Sequence, residues 1–223
     1  MSIKQNLEKI KTNINTACEK CGRNPEDVTI LAVTKTRSAD EINEVIDLGI
    51  VNIGENRVQE LIAKYDSVSE EARWHLIGHL QKNKVKYIAD KVCMIHSVDS
   101  PELAEEIDRR CKKINKTMDI LIEVNISGEE TKSGISPDKI RDFINLVSSF
   151  DNIKIRGLMT MAPKYAPDEE LHRIFSGLAT LAKNISDYEN VSMDYLSMGM
   201  SGDYEAAICE GSNIVRIGTA LFQ

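Results

Sequence analysis

The sequence predicts a single (β/α)8 barrel of the TIM type, with an extra helix at its N-terminal end. Eight short apolar segments recur along the 223 residues, and amphipathic segments separate them. Such alternation indicates a parallel sheet, and eight repeats favour a closed barrel. An open doubly wound sheet is the alternative, but neither a GxGxxG nor a GxxxxGK[ST] loop follows the first strand. We expect residues 1–223 to form one domain.

The elements follow in order from the patterning. The first helix is predicted from apolar residues at spacings of three and four, namely Ile3, Leu7, Ile10, Ile14 and Ala17. Gly22 and Pro25 predict its end. The predicted strands are 28–33, 50–53, 74–77, 92–97, 119–125, 153–158, 193–197 and 213–217. Helix starts are indicated by the capping box Ser38-Ala-Asp-Glu41 and by the pairs Ser100-Pro101 and Ser136-Pro137. We expect the first helix to cover the place of an outer helix after the eighth strand.

Charge and cysteine usage limit the function classes. The net charge is -7, which argues against nucleic acid or an anionic membrane as the main partner. Five cysteines do not suggest a disulfide framework, and Cys18-Glu-Lys-Cys21 lacks the second pair that a zinc site needs. No apolar run approaches the roughly 20 residues of a membrane span, and the start does not resemble a signal peptide. We therefore expect a cytoplasmic protein.

Lys35 is the first candidate functional residue, because it directly follows the first strand. Functional side chains of such barrels gather at the C-terminal ends of the strands. The sequence predicts a partly desolvated lysine, and desolvation favours the neutral amine that attacks a carbonyl. A solvent-exposed loop lysine is the alternative.

Arg216 is the second candidate, inside the last strand Ile214-Val-Arg-Ile217. Strand residues alternate faces, so Arg216 points into the barrel if its two neighbours pack outward. A buried arginine needs a partner to offset its desolvation. That partner is either a bound ligand or an interior carboxylate such as Glu123.

Two loops resemble anion cradles. They are Ser197-Met-Gly-Met-Ser-Gly-Asp203 after the seventh strand and Gly218-Thr219 after the eighth. TIM barrels often bind phosphate with these two loops. The hydroxyls of Ser201 and Thr219 add donors, although plain turn and capping chemistry would use the same residues. Asn56, after the second strand, lies at the same barrel end and would bind a ligand or cap a helix.

Taken together, these segments resemble the pyridoxal phosphate homeostasis protein family. The resemblance rests on an ordered set of motifs that runs over essentially the whole chain. The motifs are Ala32-Val-Thr-Lys35, Gly54-Glu-Asn56, Trp74-His-Leu-Ile-Gly78, Leu80-Gln-Lys-Asn-Lys84, Gly157-Leu-Met-Thr-Met161, Ser197-Met-Gly-Met-Ser201 and Val215-Arg-Ile-Gly218.

The resemblance implies a barrel like the alanine racemase N-terminal domain, with pyridoxal 5'-phosphate (PLP) as cofactor and a Schiff base at Lys35. It implies that Arg216 faces the pyridine nitrogen, and that Lys132 in Thr131-Lys-Ser-Gly134 is a second functional lysine. The cofactor-binding residues are therefore predicted to be Lys35, Asn56, Met200, Ser201, Gly202, Arg216, Gly218 and Thr219. We predict no metal ligands and no catalytic residues.

Three functions remain open on the sequence. The first is a non-catalytic PLP carrier that binds, buffers or delivers the cofactor, with PLP-dependent apo-enzymes as candidate partners and a monomeric state. The second is a PLP enzyme such as a slow racemase. We see no second domain after Gly218 to supply the opposite base that racemisation needs, which favours the carrier. The third is a barrel that binds another small phosphate compound.

Overall fold

Eight parallel strands close into a barrel, which confirms the (β/α)8 prediction over the open sheet. The structure is a computed structural model, and it describes residues 2–129, 132–185 and 190–223. Each strand pairs with the next along the chain, and the eighth pairs with the first. The strands are β1 Thr29–Val33, β2 Asn52–Glu55, β3 Arg73–Leu76, β4 Met94–Val98, β5 Met118–Glu123, β6 Ile153–Met159, β7 Val191–Met200 and β8 Ile214–Ile217.

Helices cover the outside of the barrel. The α-helices are α1 Ile3–Cys21, α2 Ala39–Asp47, α3 Val58–Tyr65, α4 Pro101–Lys113, α5 Ile140–Val147, α6 Asp168–Lys183, α7 Tyr204–Cys209 and α8 Thr219–Phe222. Between β3 and β4 the 3-10 segment Lys82–Tyr87 takes the place of an α-helix. None of the helices within the described ranges is long and apolar enough to cross a membrane.

Helix α1 covers the barrel beside α8, as the sequence predicts. A capping box at Ser2 starts α1, and Gly22 ends it in the left-handed conformation at φ 67°. Its apolar face packs against α7 and α8, and the side-chain amide of Asn6 donates to the carbonyl of Leu221 at 3.0 Å. Because α8 has only one turn, α1 fills the place of a full outer helix.

Alternating side chains divide each strand between two environments. In β1, Ile30 and Ala32 pack outward with the helices in the main core. The inward-facing side chains form two small apolar clusters, Leu31 with Ile77 and Ile214, and Met94 with Leu121 and Met159. The remaining inward positions of the barrel include buried polar residues, namely His75, His96, Glu123, Ser197 and Arg216. The interior is therefore an apolar core with a polar layer running through it.

Strand β7 differs most from its prediction. We predicted strand 193–197 followed by a loop, but β7 extends to Met200. The register between β7 and β8 shifts between Ser197 and Met200, which keeps the glycine-containing segment paired. Gly199 has φ 89°, and a Cβ there would lie 2.6 Å from the Cβ of Ala207. Glycine thus lets α7 pack closely against the end of β7.

Candidate functional site

Lys35 lies at the C-terminal end of β1, with its backbone held on both sides. The carbonyl of Thr34 accepts a hydrogen bond from Nζ of Lys64 at 2.9 Å. The backbone N–H of Thr36 donates to Oε2 of Glu60 at 3.0 Å. The Lys35 side chain itself is exposed, so the predicted desolvation is wrong. The strand ends at Val33, and the lysine therefore stands on the rim rather than within the apolar wall.

A buried carboxylate organises this rim. Glu55, at the end of β2, is fully buried, and its Oε1 accepts from Thr34 Oγ1 at 2.8 Å and from Lys64 Nζ at 2.8 Å. Lys64 extends from α3, so the ion pair ties β1 and β2 to the helix outside them. We call Thr34, Glu55, Glu60 and Lys64 the rim clamp. It fixes the backbone beside Lys35 through charged contacts.

Arg216 points into the barrel, as the alternation predicts. Its guanidinium donates to the Ser197 carbonyl at 2.7 Å, to Ser197 Oγ at 2.8 Å and to the Thr160 carbonyl at 2.9 Å. These bonds use at most three of its five N–H groups. Burial lowers the pKa of Arg216 to about 10, and Asp203 and Glu123 oppose that shift. The side chain is therefore still a cation at neutral pH.

The alternative of an ion pair between Arg216 and Glu123 is not realised among the described residues, where the two groups interact only at longer range. Glu123 ends β5 and is buried. Burial, together with the nearby charge of Asp99 and against the opposing effect of Arg216, raises the pKa of its carboxyl to about 7. The site therefore holds a carboxyl that is partly protonated near neutral pH.

The two predicted anion loops are joined by one hydroxyl. Ser201 Oγ accepts from the N–H groups of Gly218 at 3.2 Å and Ala220 at 3.1 Å. A Cβ on Gly218 would lie 3.3 Å from the Cβ of Val33, so this loop lies against the end of β1. The structure thus places the cradle residues on the same side of the barrel mouth as Lys35; they are Met200, Ser201, Gly202, Gly218 and Thr219.

Asn56 contributes an unused acceptor beside β2 and β3. Its Oδ1 is buried and has no hydrogen-bond partner. Gly78 permits this close position, because a Cβ there would lie 2.3 Å from the Asn56 carbonyl oxygen. A buried acceptor without a partner is costly. The Asn56 amide oxygen is therefore a candidate acceptor for a ligand donor.

Sequence reasoning missed the polar residues below Arg216. His96 and Ser197 are both 0% exposed, and Ser197 Oγ lies 3.0 Å from His96 Nδ1. The signal was present, because His96 interrupts the apolar strand β4 at an inward position. His75, on the neighbouring strand β3, is also buried and lies within hydrogen-bond distance of His96 and Asn52.

The cysteine pair in α1 lies at the C-terminal end of that helix. All five cysteines are free. Within the described ranges, no group of three His, Cys, Asp or Glu side chains is arranged to hold a metal ion. Burial raises the pKa of the Cys18 thiol, with Cys21 and Asp27 adding to the rise and Arg23 opposing it.

Comparison with known proteins assigns the chain to a family. The sequence profile described as alanine racemase, N-terminal domain, matches residues 5–223. The pyridoxal phosphate homeostasis protein of Aquifex aeolicus is 42% identical, with 100% of this chain and 98% of the relative covered. The chain belongs to the pyridoxal phosphate homeostasis protein family. The Escherichia coli K12 member of that family is 37% identical, over 99% of this chain and 95% of the relative.

A solved structure supports the same assignment. PipY of Synechococcus elongatus, a structure described as having PLP bound, is 32% identical at a TM-score of 0.88, and each chain is covered fully. The resemblance to the pyridoxal phosphate homeostasis protein family that we inferred from the motifs is therefore confirmed.

The second lysine implied by the family lies away from the rim clamp. Lys132 pairs with Glu129 at 2.7 Å, and both side chains are partly exposed. Its Nζ also lies 3.5 Å from the carbonyl of Met161. Thr131, in the same predicted motif, lies outside the described residues. The position of Lys132 is thus defined, and its role stays a prediction.

Proposed function

We propose that this chain binds PLP at the C-terminal mouth of its barrel and acts in intracellular PLP homeostasis as a carrier. One observation carries the proposal: Ser201 joins the loops after β7 and β8, and that joined cradle lies against Val33 at the end of β1, the strand that Lys35 follows. Relatives named pyridoxal phosphate homeostasis protein, and PipY with PLP bound, support the choice of ligand.

The residues suit the three parts of the cofactor. The cradle of Ser201, Gly202, Gly218 and Thr219 offers hydroxyl and backbone N–H donors to a phosphate. Arg216 keeps unused N–H groups that can donate to a pyridine nitrogen. The unpartnered Oδ1 of Asn56 can accept from a protonated ring substituent. These assignments are proposals for the bound state.

Lys35 would bind the cofactor aldehyde covalently. Its amine would condense with the aldehyde to give a Schiff base, with release of one water molecule. The exposed side chain can reach a ligand that enters from solvent. The rim clamp holds its backbone, so less conformational freedom is lost on bond formation.

Arg216 favours storage over substrate chemistry. PLP supplies an electron sink when its ring nitrogen is protonated. Because Arg216 is a cation whose pKa is about 10, it donates a hydrogen bond to that nitrogen and keeps its own proton. We therefore propose a non-catalytic role. We further propose that residues 1–223 form one domain, that the protein is monomeric and cytoplasmic, and that PLP-dependent apo-enzymes are candidate recipients.

Borohydride trapping tests the covalent step. We expect the protein to turn yellow with PLP, and reduction followed by peptide mapping to place the adduct on Lys35. Lys35→Ala should abolish the yellow band, and Lys82→Ala, which removes another exposed lysine near the barrel mouth, should retain it. An adduct on a different lysine, or none, would contradict the proposal.

A second candidate is a PLP-dependent enzyme, which one observation favours. Glu123 is buried with a pKa raised by burial to about 7, the range suited to proton transfer. Incubation of the PLP-loaded protein with amino acids in deuterated water separates the two functions. Steady α-deuteration that Lys35→Ala and Glu123→Gln both abolish would replace the carrier with the enzyme.

A further inference from the structure

A continuous chain of hydrogen bonds crosses the barrel interior below Arg216. Ser197 Oγ accepts from Arg216 at 2.8 Å and lies 3.0 Å from Nδ1 of His96. Nε2 of His96 lies 3.0 Å from Nδ1 of His75. Nε2 of His75 lies 3.2 Å from Oδ1 of Asn52. We call these five residues the interior chain; they come from β8, β7, β4, β3 and β2.

The acceptor at the Asn52 end sets the direction of the interior chain. His75 Nε2 donates to Asn52 Oδ1, and Cys93 Sγ, which donates to the Trp74 carbonyl, lies 3.4 Å from the same nitrogen. Each remaining contact then has one donor and one acceptor in the following arrangement. His75 carries its proton on Nε2, His96 carries its proton on Nε2, and the Ser197 hydroxyl donates to His96. Both histidines are neutral in this arrangement, and burial lowers the pKa of His75 to about 3.

Packing alone does not require this chain. The neighbouring interior positions are filled by apolar clusters such as Leu31 with Ile77 and Ile214. Burying polar groups costs free energy unless each one is satisfied, and apolar side chains of similar volume would avoid that cost. Each contact along the interior chain lies within hydrogen-bond distance, and the chain ends on the guanidinium of Arg216, which keeps free donors for the proposed cofactor site. The free-energy cost of burying these polar groups is therefore accompanied by a defined orientation of the Arg216 side chain.

We infer that His96 is a positioning residue, which acts through Ser197 to hold Arg216 against the ring of a bound cofactor. This inference rests on the proposed function and assigns a role to residues beyond it. His75 and Asn52 extend the support by fixing which nitrogen of His96 accepts. Rotation of Ser197 would remove one anchor of the guanidinium, while the bonds to the two carbonyls remain.

The test measures the proton exchange of the Arg216 guanidinium and the affinity for the cofactor separately. Without ligand, NMR of the arginine side chain reports exchange of its guanidinium protons, which we expect to be slow in the unmodified protein. Exchange should be clearly faster in His96→Leu and Ser197→Ala. With PLP added, each of these variants should bind about tenfold more weakly, which corresponds to about 1.4 kcal/mol.

A double-variant cycle distinguishes positioning from general destabilisation. If His96 acts through Ser197, His96→Leu should cause no further loss of PLP affinity in a Ser197→Ala background. His96→Gln keeps one acceptor and one donor and should recover most of the affinity. His172→Leu changes a half-exposed histidine on α6 and serves as the control.

Each outcome bears on one claim. Additive losses of affinity in the double variant, or unchanged proton exchange in both single variants, would overturn the inference. Ser197→Ala removes only one oxygen, so this variant decides the question if His96→Leu does not fold. If the unmodified protein binds no PLP, the proposed function fails, and the exchange measurement still tests whether His96 orients Arg216.

Discussion

Two residues from the neighbouring strands β1 and β8, both proposed to contact the cofactor, are supported in opposite ways. Lys35 is exposed, and the rim clamp holds its backbone from outside the barrel through the ion pair between Glu55 and Lys64 at 2.8 Å. Arg216 is buried, and neutral groups hold its side chain from inside the barrel. One region fixes a backbone and leaves the side chain free, and the other fixes the side chain itself.

This difference suits the two kinds of contact. A lysine that must form and break a covalent bond needs a mobile amine on a fixed base. An arginine that only donates hydrogen bonds gains from a fixed orientation, because less side-chain freedom is lost on binding. The comparison also predicts different losses of stability on substitution. Leaving a buried charge without its partner lowers the free energy of unfolding far more than leaving an exposed charge without one.

Removal of the buried rim charge should have the largest effect on stability. Glu55→Gln keeps the shape but leaves Lys64 without its close partner, so we expect the free energy of unfolding to fall by about 3–5 kcal/mol. Urea unfolding measures this. Glu60→Gln is the matched control, because its contact with Lys64 is longer, 3.8 Å, and it should cost below about 1 kcal/mol. Equal losses would show that the clamp does not depend on the buried pair.

The interior carboxyl should produce the next largest effect, as a pH dependence. The pKa of Glu123 is about 7 in the folded protein and 4.5 ordinarily, so the folded state keeps a proton that the unfolded chain releases. The stability that this retained proton contributes to the folded state is fully present below pH 4.5 and is lost as the pH rises to 7. We expect the unfolding free energy to fall by about 1–3 kcal/mol over that range, relative to Glu123→Gln. If the unfolding free energies of the unmodified protein and Glu123→Gln changed with pH in parallel, the raised pKa of Glu123 would be contradicted.

A break in the interior chain should cost less. Ser197→Ala leaves His96 without its hydroxyl donor, and we expect a loss of about 1–2 kcal/mol in unfolding free energy by urea titration. Ser149→Ala is the control, since that exposed hydroxyl bonds only to a nearby carbonyl, and it should stay within about 0.5 kcal/mol. A Ser197→Ala protein as stable as the control would show that the chain contributes no net stability.

The smallest effect is expected at Lys132. Its pairing with Glu129 involves side chains that are 26% and 45% exposed. Lys132→Ala should change the unfolding free energy by less than about 1 kcal/mol, and the difference should shrink further at high salt. Thermal unfolding at low and high salt checks this. A larger effect would mean that this lysine supports the fold rather than the ligand.

Much of the fold could be predicted, because the strands of a parallel barrel are buried on both faces. Apolar runs such as Val28–Val33 and 119–125 identify strands without any knowledge of their partners. The ends of the strands were harder to predict where less apolar residues continue the pairing between strands, as at Ser197 to Met200 in β7. The 3-10 segment after β3 also escaped prediction, since Lys82–Tyr87 has no distinctive helical stripe.

The placement of the candidate residues was predictable where one strand end or one loop is sufficient. Arg216 could be assigned to the interior from alternation alone. The interior chain could not, because its contacts join residues such as His96 and Ser197 that lie 101 positions apart. The prediction that Lys35 is partly desolvated was wrong for a related reason. The apolar segment ends before the lysine, and only the folded structure shows that this end of the strand is exposed to solvent.

The hydroxyl that joins the two loops has a consequence for release. Ser201 Oγ already occupies the N–H groups of Gly218 and Ala220. In the proposed bound state, a phosphate oxygen that accepts from these N–H groups would replace Ser201 Oγ, and the serine would accept from them again after the phosphate leaves. Loading and unloading would then exchange hydrogen bonds of similar kind, as suits a reservoir that must release its contents.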